Sequence, residues 1–119
     1  MFPQAIKEYC LSLPGAHLVV QWGGTNVFKI DAKMFAAMGE DGQQLVLKCA
    51  DKDMALMLVE SGVGHWAKYF GQKQWVGFPL ETPTMPEDEF KARLRLSYSI
   101  VRKSLTKKIQ ATLPPFDDS

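Results

Sequence analysis

The sequence predicts an α+β fold, a two-layer α/β sandwich in which an antiparallel sheet carries helices packed on one face. Two observations predict this class. Residues 17–49 contain four short runs rich in β-branched and aromatic residues, separated by turn residues. Helical periodicity precedes this region and returns twice after it, which gives the order helix, four strands, helix, one or two strands, helix. At 119 residues, the chain is long enough for one hydrophobic core.

The first helix is predicted over Pro3–Leu13. Pro3 suits a first helical turn, and Pro14 cannot continue the helix. The apolar face is formed by residues at helical spacing, namely Ile6, Tyr9, Cys10 and Leu13.

Four strands are predicted next, over residues 17–22, 26–30, 33–40 and 43–49. The connections are short. The sequence "GGTN" (23–26) permits a tight hairpin, because glycine tolerates positive φ. Strands at this spacing predict an antiparallel meander.

The second helix is predicted over residues 51–62, with Asp51 as its N-cap and Gly62 as its stop. Residues 63–80 return to extended structure, in which 74–80 is the clearest strand. The last helix is predicted from residues 82–90, capped by Thr84 or its neighbour, to about Leu105. Its buried face is predicted to be Phe90, Leu94, Ser97, Tyr98, Val101 and Leu105.

Composition predicts a single domain over residues 1–113, followed by a loose C-terminal tail over 114–119, because its prolines oppose a helix. The longest apolar run is too short to cross a bilayer, and the N-terminus lacks the pattern of a secretory signal. Cys10 and Cys49 are interpreted as reduced, buried thiols, although one disulfide in a secreted protein stays an alternative. We therefore expect a cytoplasmic protein that is a monomer and has no membrane partner.

Enzymatic residues are scarce. Neither His17 nor His65 has partners at metal-ligand spacing, and no glycine-rich phosphate loop or nucleophile elbow is present. The sequence thus predicts a non-enzymatic protein with no cofactor and no metal.

The strongest functional signal is the basic segment, residues 91–108. It holds seven Lys and Arg and no acid, in a chain of net charge +1. On a helix, Lys91, Arg95 and Arg102 fall within about 40° of each other and form a basic stripe. Lys103, Lys107 and Lys108 collect at its end. The first interpretation is a solvated helix face whose bases complement the helix dipole.

The second interpretation is a surface that binds nucleic-acid phosphates, because Lys and Arg that neutralise phosphates release counterions. Acids for i,i+4 pairs are absent within the basic segment, which favours this interpretation. Lys29, Lys33 and Trp22 would extend the surface from a hairpin, with Trp22 stacking on a base. Exchanging Arg95 and Arg102 for Glu is then expected to abolish binding.

A different class of function also stays open: a module for a protein partner or small ligand that uses the sheet and the aromatic segment 65–78. An exposed patch of Trp66, Tyr69 and Phe70 would support it. Core packing is an equally ordinary role for these aromatic residues.

Several motifs, taken together and in order, resemble the MmcQ/YjbR family over residues 2–113. They are "LPGA" (13–16), Trp22, "VFKIDAKMFAAM" (27–38), "LVLK" (45–48), "WV" (75–76) and "LSYSIVRKSLTKK" (96–108). The resemblance implies a CyaY-like α/β sandwich and a mostly uncharacterised bacterial family. It also implies a double-wing DNA-binding motif, a proposal that rests on shape, and it supplies no catalytic residues. The near-neutral charge departs from a typical strong DNA binder.

Overall fold

The computed structural model describes residues 2–39, 42–67 and 74–117. In these ranges the helices are α1 (Phe2–Ser12), α2 (Lys52–Glu60), α3 (Glu87–Lys103) and α4 (Lys107–Thr112). The strands are β1 (Ala16–Gln21), β2 (Thr25–Ile30), β3 (Lys33–Met38), β4 (Gln44–Lys48), β5 (His65–Trp66) and β6 (Trp75–Pro79). Within the same ranges, none of the helices combines the length and apolarity that a bilayer span requires.

The strands form one sheet in the order β1-β2-β3-β4-β6-β5, and every neighbouring pair is antiparallel. The meander β1–β4 is as predicted. Helices α1 and α3 pack on the sheet, and α3 contacts β2, β3 and β4. The predicted two-layer sandwich is therefore confirmed.

The core lies between the sheet and α3. Alternate strand residues such as Phe28, Leu45, Leu47 and Phe78 point to the helices and are buried. All residues of the predicted inner face of α3 are buried as well, namely Phe90, Leu94, Ser97, Tyr98, Val101 and Leu105. Burying each large apolar side chain contributes roughly 1.5–3 kcal/mol, so this seam holds the two layers together.

A bulge in the β2–β3 pair changes which side chains share a face. The register shifts between Phe28 and Lys29, so that Phe28 pairs with Ala36 while Lys29 pairs with Met34. Lys29 therefore lies on the sheet face away from the helices. Lys33 lies on the helix side, where its Nζ donates to the hydroxyl and carbonyl oxygens of Ser104 at 3.1 and 3.3 Å.

Several boundaries differ from those predicted. The β1–β2 turn is formed by residues 22–24, so Thr25 and Asn26 belong to β2. Thr84 does not cap α3, because its hydroxyl donates to the Val63 carbonyl at 2.6 Å, and Pro86 is the N-cap. The basic segment is not one helix: α3 ends at Lys103, and α4 begins after Thr106, whose hydroxyl accepts from Ile109 N.

The C-terminal tail also differs from the expectation of a loose segment. Its described part, residues 114–117, lies against α3, where Phe116 packs on Tyr98 with ring centroids 4.6 Å apart. The prolines do prevent a helix, but an extended chain can still pack through one aromatic side chain.

Candidate functional site

The sheet face opposite α1 and α3, here called the open face, contains a concavity of about 800 Å³. Its floor is a cross-strand row formed by Val27, Ala37 and Val46, which are paired in register across β2, β3 and β4. The described lining is mostly apolar. Among the described residues the helices pack on the opposite face of the sheet, and an exposed apolar patch of this kind is a candidate interaction site.

Trp22 stands at one edge of this concavity, at the tip of the β1–β2 hairpin. Its side chain is 63% exposed, and its φ is 50°. A bulky residue in the left-handed region costs roughly 1–3 kcal/mol, and such strain is concentrated at functional sites. Gly23 and Gly24 follow with φ of 75° and 124°, which lets the hairpin close behind the tryptophan.

Trp75, the first residue of β6, lies at another edge of the concavity. It pairs with Lys48 across the β4–β6 ladder, and Lys48 Nζ lies 5.8 Å from the centroid of the indole ring. Lys29 reaches the same face from β2 and is half-buried. Two aromatic rings and Lys29 thus border an apolar floor, with Lys48 beside Trp75, and the lining described by the structure contains no Asp or Glu.

At the β5 edge, an imidazole covers the open face. His65 pairs with Gly77, and a Cβ built on Gly77 would lie 2.4 Å from His65 Cε1. The absence of a side chain at Gly77 therefore makes room for the ring. His65 Nε2 lies 2.6 Å from Gln44 Oε1 and so orients the side chain of a lining residue.

The chemical groups of a nucleophilic enzyme are not assembled in the described residues. Burial raises the pKa of the Cys10 thiol to about 12. Burial also raises the pKa of Cys49, although the charge of Arg93 opposes this. A buried thiol of this kind does not supply a thiolate near neutral pH. Across residues 2–39, 42–67 and 74–117, no group of three or more His, Cys, Asp or Glu converges as metal ligands would.

The predicted basic stripe has partners within its own chain. Lys91 Nζ lies 3.2 Å from the Glu87 carboxylate and 5.8 Å from the centroid of the Tyr9 ring. The basic segment does have acids to pair with, because Glu87 and Glu89 in the first turn of α3 reach Lys91 and Arg93. The expectation that this face lacks i,i+4 ion pairs was therefore wrong.

The two arginines of the stripe hold the C-terminal tail. The Arg95 guanidinium carbon lies 4.5 Å from the centroid of the Phe116 ring, and its Nη2 donates to the Asp117 carbonyl. Arg102 Nη2 donates to the Pro114 carbonyl at 2.7 Å, and its Nη1 donates to the Tyr98 hydroxyl at 2.8 Å. Both guanidinium groups thus have structural contacts.

The structure divides the predicted site residues into separate groups. Trp22 and Lys29 meet on the open face. Lys91, Arg95 and Arg102 lie on the helix layer, and Lys33 binds the end of α3. Lys103, Lys107 and Lys108 are exposed around the junction of α3 and α4. Lys29 and Lys33 therefore lie on opposite faces of the sheet.

Sequence reasoning missed Lys48 and the concavity, and it included Trp75 only as part of the aromatic segment 65–78. Strand parity already places Val46 and Lys48 on one face of β4. The pairing of β4 with β6 places Trp75 beside Lys48, but α2 and β5 lie between these two strands in the sequence. The aromatic segment is described only up to residue 67 and from 74 onward. Tyr69 and Phe70 lie outside the described residues, while Trp66 on β5 is 37% exposed.

Comparisons with known proteins agree with this architecture. The sequence model of the YjbR family matches residues 11–100. A solved structure of Deinococcus radiodurans protein DR2400, described as a DUF419 domain, is similar with a TM-score of 0.81. The two chains share 24% sequence identity, and the similarity covers 92% of this chain and 85% of that one, which supports the fold alone. No curated protein matches the chain.

Proposed function

The chain belongs to the YjbR family, as its resemblance predicted, and from the open face we propose that it is a nucleic-acid-binding module for single strands. The observation that carries the proposal is the placement of two indole rings and Lys29 around a concavity whose described lining holds no acid, with Lys48 beside one of the rings. Proteins that bind single strands combine a positive groove with aromatic side chains on which bases stack.

The size of the concavity suits this ligand. Its volume of about 800 Å³ lies in the range of roughly 300–1,000 Å³ that is typical of ligand sites. About three strand spacings of roughly 4.8 Å separate the hairpin of Trp22 from β6, and about two pleat repeats of roughly 7 Å separate the two residues along the strands. Trp22 and Trp75 are therefore about 20 Å apart. That span suits several unstacked nucleotides along an extended chain.

Each group has a distinct role in the proposal. Trp22 stacks on a base, because its ring is the more exposed of the two. Lys29 and Lys48 neutralise phosphates at the border of the floor. Val27, Ala37 and Val46 carry no base-reading groups, so affinity is expected to depend little on sequence.

The basic segment has a smaller part in this proposal than its charge suggests. Lys107 and Lys108 are exposed in the first turn of α4, and they stay predicted phosphate contacts. Arg95 and Arg102 hold the C-terminal tail. Their exchange for Glu is therefore expected to leave binding to the open face in place.

The test is fluorescence anisotropy of a labelled oligothymidine strand and of a duplex, titrated with the protein at low and physiological salt. The single strand should bind more tightly. Neutralising Lys29 with Lys29→Gln should lower the slope of log affinity against log salt by about 0.7. Trp22→Ala should cost about 1–3 kcal/mol of binding free energy, or roughly 5- to 150-fold, while Trp22→Phe keeps a stacking ring.

Trp66→Ala serves as a matched control, because Trp66 pairs with Val76 and so lies on the other face of the sheet. It should leave affinity within about twofold as long as the far-ultraviolet spectrum is unchanged. If Trp22→Ala binds as well as the unaltered protein, the open face is not the site. If neither strand form binds even at low salt, the proposal that the open face binds nucleic acid is wrong.

A second candidate function has one observation in its favour, namely the apolar floor. A small apolar ligand with an anionic group would place its body over Val27, Ala37 and Val46 and its charge beside Lys29. Quenching of indole fluorescence by such ligands, without any oligonucleotide binding, would favour this candidate.

A further inference from the structure

The C-terminal tail occupies a site on α3 that has the chemistry of a nucleotide site. The Phe116 ring lies over Arg95 at 4.5 Å and beside Arg102 at 5.7 Å, measured from the guanidinium carbons to the ring centroid. The Phe116 ring also makes an edge-to-face contact with the ring of Tyr98. Two guanidinium groups and a phenol therefore surround one planar ring.

The polar contacts of the tail can be replaced by those of a phosphate. Arg95 donates to the carbonyl oxygen of Asp117, and Arg102 donates to that of Pro114. A phosphate oxygen carries a charge that a carbonyl oxygen lacks, so an arginine hydrogen bond to phosphate gains an ion-pair attraction that the bond to a carbonyl lacks. The planar guanidinium fork also matches a phosphate with two bonds at once.

The tail is held by few groups. Phe116 is half-buried, whereas Pro114, Pro115 and Asp117 are exposed. Phe116 contacts Tyr98 and the guanidinium groups, and each of these contacts raises the ratio of docked to released tail by roughly two- to tenfold. A segment held by one ring and by hydrogen bonds from two arginines can be displaced by a ligand that makes the same contacts more strongly.

From this geometry we infer that Arg95, Tyr98 and Arg102 form a second contact site for single-stranded nucleic acid, which the C-terminal tail masks. A base takes the place of the Phe116 ring, and its phosphates take the places of the two carbonyl oxygens. The site lies on the helix layer and is separate from the open face. Its apparent affinity is reduced by the fraction of molecules in which the tail is docked.

The test uses the full-length chain with the open face disabled by Trp22→Ala and Lys29→Gln. In this background, adding Phe116→Ala should increase the affinity for a labelled oligothymidine by about tenfold or more. The slope of log affinity against log salt should steepen by about 1.4, because two arginines become available. Phe116→Tyr is the matched control, since it keeps the ring and should keep the site masked.

A further substitution tests whether the gain in affinity depends on Arg95. Adding Arg95→Gln to the Phe116→Ala chain should remove most of the increase, since Arg95 then offers no guanidinium to a phosphate. Thermal unfolding of each variant verifies that the domain is folded. A folded Phe116→Ala chain with no gain in affinity, or a gain that survives Arg95→Gln, overturns the masked site.

This inference and the proposed function fail separately. If the unaltered protein binds the strand but Phe116→Ala adds nothing, the masked site is wrong and the open face stands. If the unaltered protein does not bind and only Phe116→Ala does, the open-face proposal is wrong and the masked site stands.

Discussion

Ser97 should be one of the most costly small side chains to remove. It lies on the buried face of α3 and is fully inaccessible to solvent. Its hydroxyl donates to the Phe35 carbonyl at 2.6 Å and accepts from Lys48 N at 3.0 Å. The β3–β4 ladder has its last pair at Ala36 and Leu47, so Ser97 joins the two strands where the ladder ends.

The magnitude follows from these two bonds. In Ser97→Ala, both main-chain groups lose a partner, and each buried group left unpaired costs about 1–3 kcal/mol. Phe35 is fully buried, whereas Lys48 is half-buried, so its N–H regains part of its hydration. We expect a loss of about 2–4 kcal/mol in the free energy of unfolding, a large part of the typical 5–15 kcal/mol. Alanine is a better helix former than serine, but this offsets only a few tenths of a kcal/mol of the loss.

The assay is urea unfolding followed by tryptophan fluorescence, with the midpoint compared at unchanged slope. Ser61→Ala is the control, because Ser61 is exposed and its hydroxyl donates within its own helix to the Leu58 carbonyl. It should change stability by less than about 0.5 kcal/mol. A loss below about 1 kcal/mol for Ser97→Ala would refute the reasoning, since it would mean that both main-chain groups find other partners.

Three further outcomes follow from single contacts. Burial raises the pKa of Cys10 from 9.0 to about 12, so the unfolded chain ionises first. Through Cys10 alone, the free energy of unfolding should fall by about 1.4 kcal/mol per pH unit between about pH 9 and 12, and Cys10→Ala should show a shallower slope in urea midpoints measured against pH, with the Cys49 contribution remaining. Asp51→Ala removes the acceptor for the Met54 N–H and should lower the free energy of unfolding by about 1 kcal/mol in the same assay. Asp51→Asn keeps an oxygen acceptor and should retain most of that stability. Gly77→Ala places a methyl group 2.4 Å from His65 Cε1 and should cost about 1–3 kcal/mol, a loss that His65→Ala in the same chain should relieve.

Local patterns predicted most of the fold because the elements here are defined by local chemistry. The alternation along β4 and the 3.6-residue period of α3 each identify a buried face, and burial confirms them. Asp51 caps α2 as its position before Lys52 predicted. Among the described helices, α4 was not predicted, because Ile109 is the one large apolar residue that this short helix packs on the core.

The candidate site was harder to predict because it depends on pairings that are distant in sequence. A one-residue shift at the β2–β3 bulge places Lys29 and Lys33 on opposite faces of the sheet. The spacing of the two lysines in the sequence does not reveal this shift. Likewise, the β4–β6 pairing brings Trp75 to Lys48. Neither event leaves a local signature in the sequence.

The arginines show why a charge run does not by itself define a binding surface. Arg102 bonds to a carbonyl 12 positions later and Arg95 to one 22 positions later, and Phe116 stacks on both. Their availability is thus decided by a short tail whose prolines and acids appear unrelated to α3 in the sequence. A ligand that competes for these arginines must first release that tail, whereas Lys29 and Lys48 on the open face need no such rearrangement. The first contact with an anionic strand should therefore form on the sheet, and Arg95 and Arg102 should contribute only in proportion to the fraction of molecules with a released tail.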